Sequence, residues 1–341
     1  MALPTRKLPG TGVATSAVGF GCAGLFRIPQ RAARLSVLDA AYDAGIRHFD
    51  VAPMYGLGLA EAELGSFLKR RRADVTVTTK FGIDPTFLSR GVALIQPPLR
   101  ALLAKRPNVG EGLKTAGQGP HSGPLGRLLY SSPGYHRHSA QVGLERSLRA
   151  LGTDYIDVFL LHDPIGGFIT GAPELATYLD EQCRIGRIRC WGVTGQPSGL
   201  SAVMERLEGT QVVQFRDDIF EGLPSPEHVL DEARITYGAL ARVLPAARQY
   251  LVRSPDASRM WSERLGLDLA DESNLPRMLL RAALLRNTAG PVLFTTTQPR
   301  RARVAAEAAT QGAELSEAEV ATLSEFAAAA RSAGPERIRT P

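Results

Sequence analysis

Four residues in the first half of the chain have types and positions suited to moving a proton: Asp50, Tyr55, Lys80 and His162. A tyrosine hydroxyl titrates at about 10 in isolation, too high for easy proton exchange at neutral pH, and a neighbouring cation favours its charged form. Lys80 could supply that cation, and the Asp50 carboxylate could hold the lysine in place. Taken singly, each residue has a commoner use. An Asp after a strand forms turns, a loop Tyr packs half-buried with its hydroxyl satisfied, a Lys is solvated, and a His is a satisfied structural group. What sets these four apart is where they fall, each at or just beyond the end of a short apolar run: Ile46 to Phe49, Val75 to Thr79 and Tyr155 to Leu161.

Those runs belong to an alternation of apolar strands with amphipathic helices, the signature of βα units and a parallel sheet. After a short amino-terminal segment, strands are predicted at Ser16 to Phe20, Ile46 to Phe49, Val75 to Thr79, Tyr155 to Leu161, Arg187 to Val193, Val212 to Phe215, Arg234 to Tyr237 and Pro291 to Thr295. Helices are predicted at Arg31 to Ala44, Ala60 to Lys69, Ala140 to Ala150, Pro173 to Ile185, Ser198 to Leu207, from near Ser225, at Leu275 to Arg286 and at Pro299 to Thr310. Pro299 takes the first helical position, where its missing N–H costs nothing. A last helix follows Ser316, with Glu319 completing a capping box. No element is assigned between Tyr237 and Leu275. Eight strands with intervening helices imply a closed α/β barrel, the (β/α)8 TIM barrel, whose strand ends converge on one functional rim. A doubly wound dinucleotide fold would place G-x-G-x-x-G directly between strand and helix. Gly19, Gly21 and Gly24 come nearest, yet the next helix opens only at about Arg31.

The expected organisation is one barrel domain over residues 1–330, interrupted by an insertion at 82–138 and followed by a tail at 331–341. The chain's 44% hydrophobic and 22% charged residues suit a globular enzyme. No run reaches the roughly 18 apolar residues of a membrane span, so no membrane partner is expected. The amino terminus lacks the apolar core of a secretory signal, which predicts a cytoplasmic location. Cys22, Cys183 and Cys190 have an odd count and no CxxC spacing, and are expected as reduced thiols. The net charge of +6 is concentrated in 82–138, where seven Lys and Arg face two acidic residues. A compact excess of that kind does not form the stripe a nucleic acid needs, and no nucleic-acid partner is expected.

The segments AYDAGIRHFDVAPMYGLGLAEAELG, VTVTTKFG and YIDVFLLHDP resemble the three that define aldo-keto reductases, and the likeness runs from about Val18 to Ala309 outside the insertion. On that resemblance Asp50, Tyr55, Lys80 and His162 are the catalytic tetrad. It implies that Tyr55 acts as general acid in reduction and general base in oxidation, that His162 orients the substrate carbonyl, and that NADPH is the hydride source. It also implies a cofactor site. Gly21 and Cys22 lie beside the nicotinamide ribose; Thr194 and Gln214 lie at the carboxamide; Asp50 is a further cofactor-binding position; Tyr237 stacks on the ring, with Gly238 and Leu240 following it. The family's Asn after the Thr194 position is Gly195 here, which removes one hydrogen-bond partner. In VLFTTTQPRRARVAAEAA, Thr295, Thr296 and Arg301 fall at the adenosine phosphate, where a helix start and an arginine fork can hold an anion. Thr295 replaces a lysine common in the family and Ala305 an adenine-contacting Asn, and Arg300 and Arg303 could compensate.

The implied activity is reduction of an aldehyde or ketone to an alcohol. Alternatives are the same machinery run as an NAD(P)-dependent sugar or alcohol dehydrogenase, and a non-enzymatic cofactor-sensing subunit. The expected partner is a small-molecule carbonyl compound, and the assembly a monomer or simple homo-oligomer. The insertion holds nine glycines and seven prolines in 57 positions, and its exit after the third strand places it at the active-site rim as an expected lid. Its local charge favours an anionic substrate. Short helices are expected in it at Leu99 to Leu103 and Leu125 to Tyr130. His136 and His138 lack an acidic or thiol partner nearby, so no metal site is assigned.

Overall fold

β-branched and aromatic residues fill the runs that become strands, and most of those runs are buried along their whole length, as a parallel sheet covered on both faces requires. A computed structural model describes residues 2–89, 128–164, 168–221, 233–310 and 315–333. Its strands are β1 (Thr5–Lys7), β2 (Ala14–Ser16), β3 (Val18–Gly21), β4 (His48–Asp50), β5 (Thr76–Phe81), β6 (Asp84–Pro85), β7 (Tyr130–Ser131), β8 (Ile156–His162), β9 (Ile188–Gly195), β10 (Val212–Arg216), β11 (Ala233–Tyr237) and β12 (Val292–Phe294). Its helices are α1 (Arg31–Asp43), α2 (Ala60–Leu68), α3 (Arg137–Leu151), α4 (Ala172–Arg184), α5 (Pro197–Met204), α6 (Val243–Arg253), α7 (Pro255–Leu265), α8 (Asn274–Arg286), α9 (Pro299–Thr310) and α10 (Glu317–Ser332).

Eight strands close into a parallel barrel in the order β3, β4, β5, β8, β9, β10, β11, β12 and back to β3. The antiparallel hairpin of β1 and β2 closes its amino-terminal end. Leu8 and Val13, from the turn of that hairpin, pack against Val158, Leu160, Cys190, Val212 and Ile235 inside the barrel. A larger core fills the space between strands and outer helices, with Phe20, Phe49, Phe81, Phe159 and Trp191 fully buried. Close strand approach depends on Gly192, where a Cβ would lie 1.8 Å from the Val212 carbonyl oxygen. Any side chain there would force β9 and β10 apart.

Most predicted elements lie within one to four residues of the observed ones. The first predicted strand divides, since Ser16 ends β2 and the barrel strand starts at Val18. Of the helix expected at Leu125 to Tyr130, residues 128 and 129 are helical, 125–127 lie outside the described residues, and Tyr130 pairs in β7 with Pro85 of β6. The stretch without a prediction holds α6 and α7, which join α8 and α10 around a second core of Val243, Trp261, Leu265, Leu279, Leu323 and Phe326. The Ser316 capping box forms, with the Ser316 hydroxyl accepting from Glu319 N at 3.2 Å. The helix expected near Ser225, the one at Leu99 to Leu103, residues 90–127 of the expected lid and residues 334–341 of the tail lie outside the described residues.

Candidate active site

Parallel strands aim their carboxyl ends at one rim, and register decides which side chains meet there. His162, Thr194 and Gln214 stand in one lateral row across β8, β9 and β10. On the other side Gly21 pairs with Asp50 across β3 and β4. Lys80 lies one residue before the end of β5 and is 1% exposed, and its ammonium donates to Asp50 Oδ1 at 2.7 Å, Asp50 Oδ2 at 2.8 Å and the Val51 carbonyl at 3.1 Å. Three acceptors exhaust its three donors. Gln214 Nε2 donates to Asp50 Oδ2 at 2.7 Å, so the carboxylate bridges the lysine and the amide.

Tyr55 sits above this pair in a short helical turn, Tyr55–Gly58, that includes Gly56 and Leu57 with positive φ of 60° and 57°. The Lys80 ammonium is 5.3 Å from the centre of its ring, and the His162 ring stands edge-on to it with centroids 6.1 Å apart. The four sequence-predicted residues therefore gather at one place. Their charge balance differs from the sequence expectation. Burial first, and then the Asp50 charge with smaller contributions from Tyr237 and Asp163, pushes the Tyr55 hydroxyl well above the usual phenol range. Burial penalises the phenolate and the Asp50 charge acts in the same direction, while the Lys80 ammonium is taken up by Asp50.

The cofactor candidates divide into two groups. Cys22, Thr194, Gln214 and the half-buried Tyr237 line the mouth around Asp50, and burial raises the Cys22 thiol out of the range in which it would ionise. Gly238, with φ +90°, and the partly buried Leu240 continue from Tyr237. The second group lies across β12. Thr295 is exposed and donates to the Gly21 carbonyl at 3.0 Å, tying the two loops together. The buried Thr296 hydroxyl accepts from Gln298 N at 3.0 Å just before Pro299 opens α9. Arg300, Arg301 and Arg303 are exposed on the first turns of that helix and form no ion pair among the described residues. A helix start flanked by guanidinium groups fits an adenosine phosphate. The Gln214 amide, with its nitrogen on Asp50, offers its oxygen to a carboxamide N–H. The donor set thus suits a phosphorylated nicotinamide nucleotide. Thr296 and Arg301 do not touch the tetrad, consistent with a ligand that spans from β12 to the barrel centre.

Three further residues escaped the sequence reading. Asp163 follows His162 with φ +50°, rare for a non-glycine, and its N–H donates to the Thr194 carbonyl at 2.8 Å. Tyr135 is buried, and its hydroxyl donates to the His162 carbonyl, so it fixes the backbone of that residue. It stacks over Gly82, whose φ of +102° and lack of a Cβ make room for the ring. Arg216 lies two residues beyond Gln214. Asp163 and Arg216 adjoin predicted site residues and could have been found from that adjacency and from strand parity, whereas Tyr135 lies in the insertion and carries no sequence signal. His136 has a structural use: its Nδ1 accepts from Ser139 N at 3.2 Å and caps α3. Among the described residues no group of three or more His, Cys, Asp and Glu could hold a metal.

A sequence model described as the aldo/keto reductase family matches residues 17–215. The chain belongs to that family. D-threo-aldose 1-dehydrogenase of a Pseudomonas species is 35% identical over 157 residues, covering 45% of this chain and 41% of the relative. Pyridoxal 4-dehydrogenase of Microbacterium luteolum is 32% identical over 161 residues, covering 46% and 42%. The chain therefore spans about two fifths of the length of each of these curated relatives. The structure of an aldo-keto reductase from Klebsiella pneumoniae in complex with NADPH superposes with a TM-score of 0.64 at 20% identity, covering 96% of this chain and 95% of that one. At that identity the likeness shows the shared barrel fold. No helix among the described residues is long and apolar enough to cross a membrane.

Proposed function

We propose that this reductase uses NADPH to convert an aldehyde or ketone to an alcohol, with Tyr55 giving the proton. The observation that carries the reading is the buried Asp50–Lys80 pair, at 2.7 and 2.8 Å, beneath Tyr55 and opposite His162 at the carboxyl ends of the strands. Bound NADPH would supply the hydride. Tyr237 and Gln214 would hold its nicotinamide end, and Thr296 and Arg301 its adenosine phosphate. His162 would donate to the substrate carbonyl oxygen and orient it. Tyr55, whose raised pKa keeps it protonated at neutral pH, would then donate from Oη as the alkoxide forms. Lys80 and Asp50 would hold the electrostatic floor of the site, and the buried strand ends exclude water from it.

A second reading is oxidation of a sugar or alcohol, favoured by the two relatives whose names are dehydrogenases. That direction needs the Tyr55 phenolate, so its rate would climb with pH, whereas reduction proceeds from the protonated hydroxyl. Titrating the purified protein with NADPH and with NADH, then following nicotinamide absorbance against carbonyl and alcohol panels from pH 6 to 10, tests both. Tighter NADPH binding with consumption of carbonyls is the expected result. Absence of turnover in both directions with cofactor bound would overturn the enzymatic reading.

A further inference from the structure

Three consecutive charged residues, Arg216, Asp217 and Asp218, leave strand β10 and are committed differently. Asp217 is clamped by Arg286 at 2.6 and 3.1 Å, and Asp218 by Arg242 at 2.8 and 3.0 Å. The backbone between them is fixed as well, since Asp217 N donates to the Tyr237 carbonyl at 3.0 Å and extends the ladder with β11. Arg216 itself takes part in no ion pair among the described residues. Side chains two apart on a strand share a face. Gln214 reaches inward to Asp50, so Arg216 projects on the same side, one step nearer the rim. Its stem crosses Gly238, where a Cβ would meet Cγ at 3.1 Å and Nε at 3.7 Å, and its guanidinium lies close enough to Tyr237 to act on its hydroxyl.

A half-buried guanidinium whose partner is a neutral phenol keeps its charge uncompensated and most of its five donors unused. A planar anion filling the fork offsets the cost of desolvating such a charge. The position also decides which anion. The helix start of α9 with Arg301 lies across β12 and suits the cofactor phosphate, whereas Arg216 flanks Tyr237 on the side of Gln214 and the reacting centre. We infer that Arg216 is the subsite for a carboxylate or phosphate carried by the carbonyl substrate. Asp163, whose negative charge also reaches Tyr237, repels the same group, so the two charges orient a substrate across the mouth.

This inference rests on the reductase reading, and the test separates them. The ratio of kcat/KM for 4-carboxybenzaldehyde to that for benzaldehyde is measured at saturating NADPH in the wild-type enzyme, Arg216→Gln and Arg216→Lys. Glutamine is expected to lower the ratio at least about tenfold, mainly through KM, and lysine, which keeps the charge without the fork, by less. NADPH affinity, followed by fluorescence titration, should stay close to the wild-type value. Should Arg216→Gln fail to fold, the ratio measured for folded Arg216→Lys decides the matter, a fall supporting the subsite and no change opposing it. An unchanged ratio would overturn the inference, and an equal loss for both aldehydes with weakened NADPH binding would overturn it and assign Arg216 to the cofactor diphosphate. A wild-type enzyme that reduces neither aldehyde would remove the reductase reading and this inference with it.

Discussion

Each end of the barrel holds a buried carboxylate next to a cation, and the two are built differently. At the base, Asp157 accepts from Arg72 at 2.8 Å, from Val77 N at 2.9 Å and pairs with Arg189 at 3.3 Å. Arg72 also donates to the carbonyls of Val75 and Tyr155, so the cluster ties β5, β8 and the turn before β5 together. At the mouth, Asp50 holds a lysine and an amide among the described residues, and Tyr55 and His162 beside it meet edge-on as rings. The base surrounds its carboxylate with guanidinium forks and a backbone donor, the Asp157 Oδ2 oxygen taking the hydrogen bonds and Oδ1 only the Arg189 ion pair. The mouth pairs its buried carboxylate with a compact ammonium and leaves hydrogen-bonding capacity facing the space where a ligand would sit. The lesson is that ion-pair burial alone does not mark a site; the kind of partner does.

The largest expected effect tests the mouth. Tyr55→Phe should cut carbonyl turnover by about 100-fold to 10,000-fold, the usual worth of a positioned acid, while melting temperature and NADPH affinity change little. Equal loss of cofactor affinity would assign the hydroxyl to cofactor binding and not to proton donation. The base should respond the opposite way. Asp157→Ala removes a buried carboxylate and leaves the Arg72 charge and the Val77 N–H without it, so denaturant unfolding should show a loss of about 3 kcal/mol with kcat per folded molecule retained. A kinetic defect without destabilisation would erase the distinction between the two ends.

A smaller effect concerns acid. His48, fully buried between Thr76 Oγ1 at 3.0 Å and Thr78 Oγ1 at 3.2 Å, has a pKa pushed down to about 3 by burial and by Lys80. Below the ordinary histidine value of about 6.5 the unfolded chain binds a proton that the folded one refuses, so stability falls with pH between those values, by about 2 kcal/mol at pH 5. His48→Gln should flatten that acid limb; an unchanged slope would place the titration elsewhere. The smallest change is expected at Arg301. Because its side chain is exposed, Arg301→Ala should narrow the preference for NADPH over NADH by about 1 kcal/mol, the low end for a charge-assisted hydrogen bond. Unchanged selectivity would shift the phosphate contact to Arg300 or Arg303.

How much could be read in the sequence follows the same division. Asp50, Lys80 and His162 were legible because long apolar runs such as YIDVFLLH announce a buried parallel strand, and such strands end at the functional rim. Their mutual electrostatics were not legible, since whether Lys80 serves Tyr55 or Asp50 depends on distances of a few ångströms. Helices α6 and α7 were missed because Pro245 and Pro255 punctuate the stretch, and both prolines in fact sit in the first turns that tolerate them. Tyr135 was beyond reach: its partner is a backbone carbonyl of a residue 27 positions away.

The strands β6 and β7 zip the departure and return of the insertion side by side, with Thr86 N donating to the Leu129 carbonyl at 3.0 Å and Arg146 gripping Asp84 at 2.6 Å. Such a stem isolates the length and composition of whatever it carries from the barrel beneath. Closing a loop costs only about 0.6 kcal/mol more for each doubling of its length. Residues 84–85 and 130–131 therefore form a natural splice point, at which a lineage or an engineer could exchange the intervening segment and retune selectivity without rebuilding the catalytic scaffold.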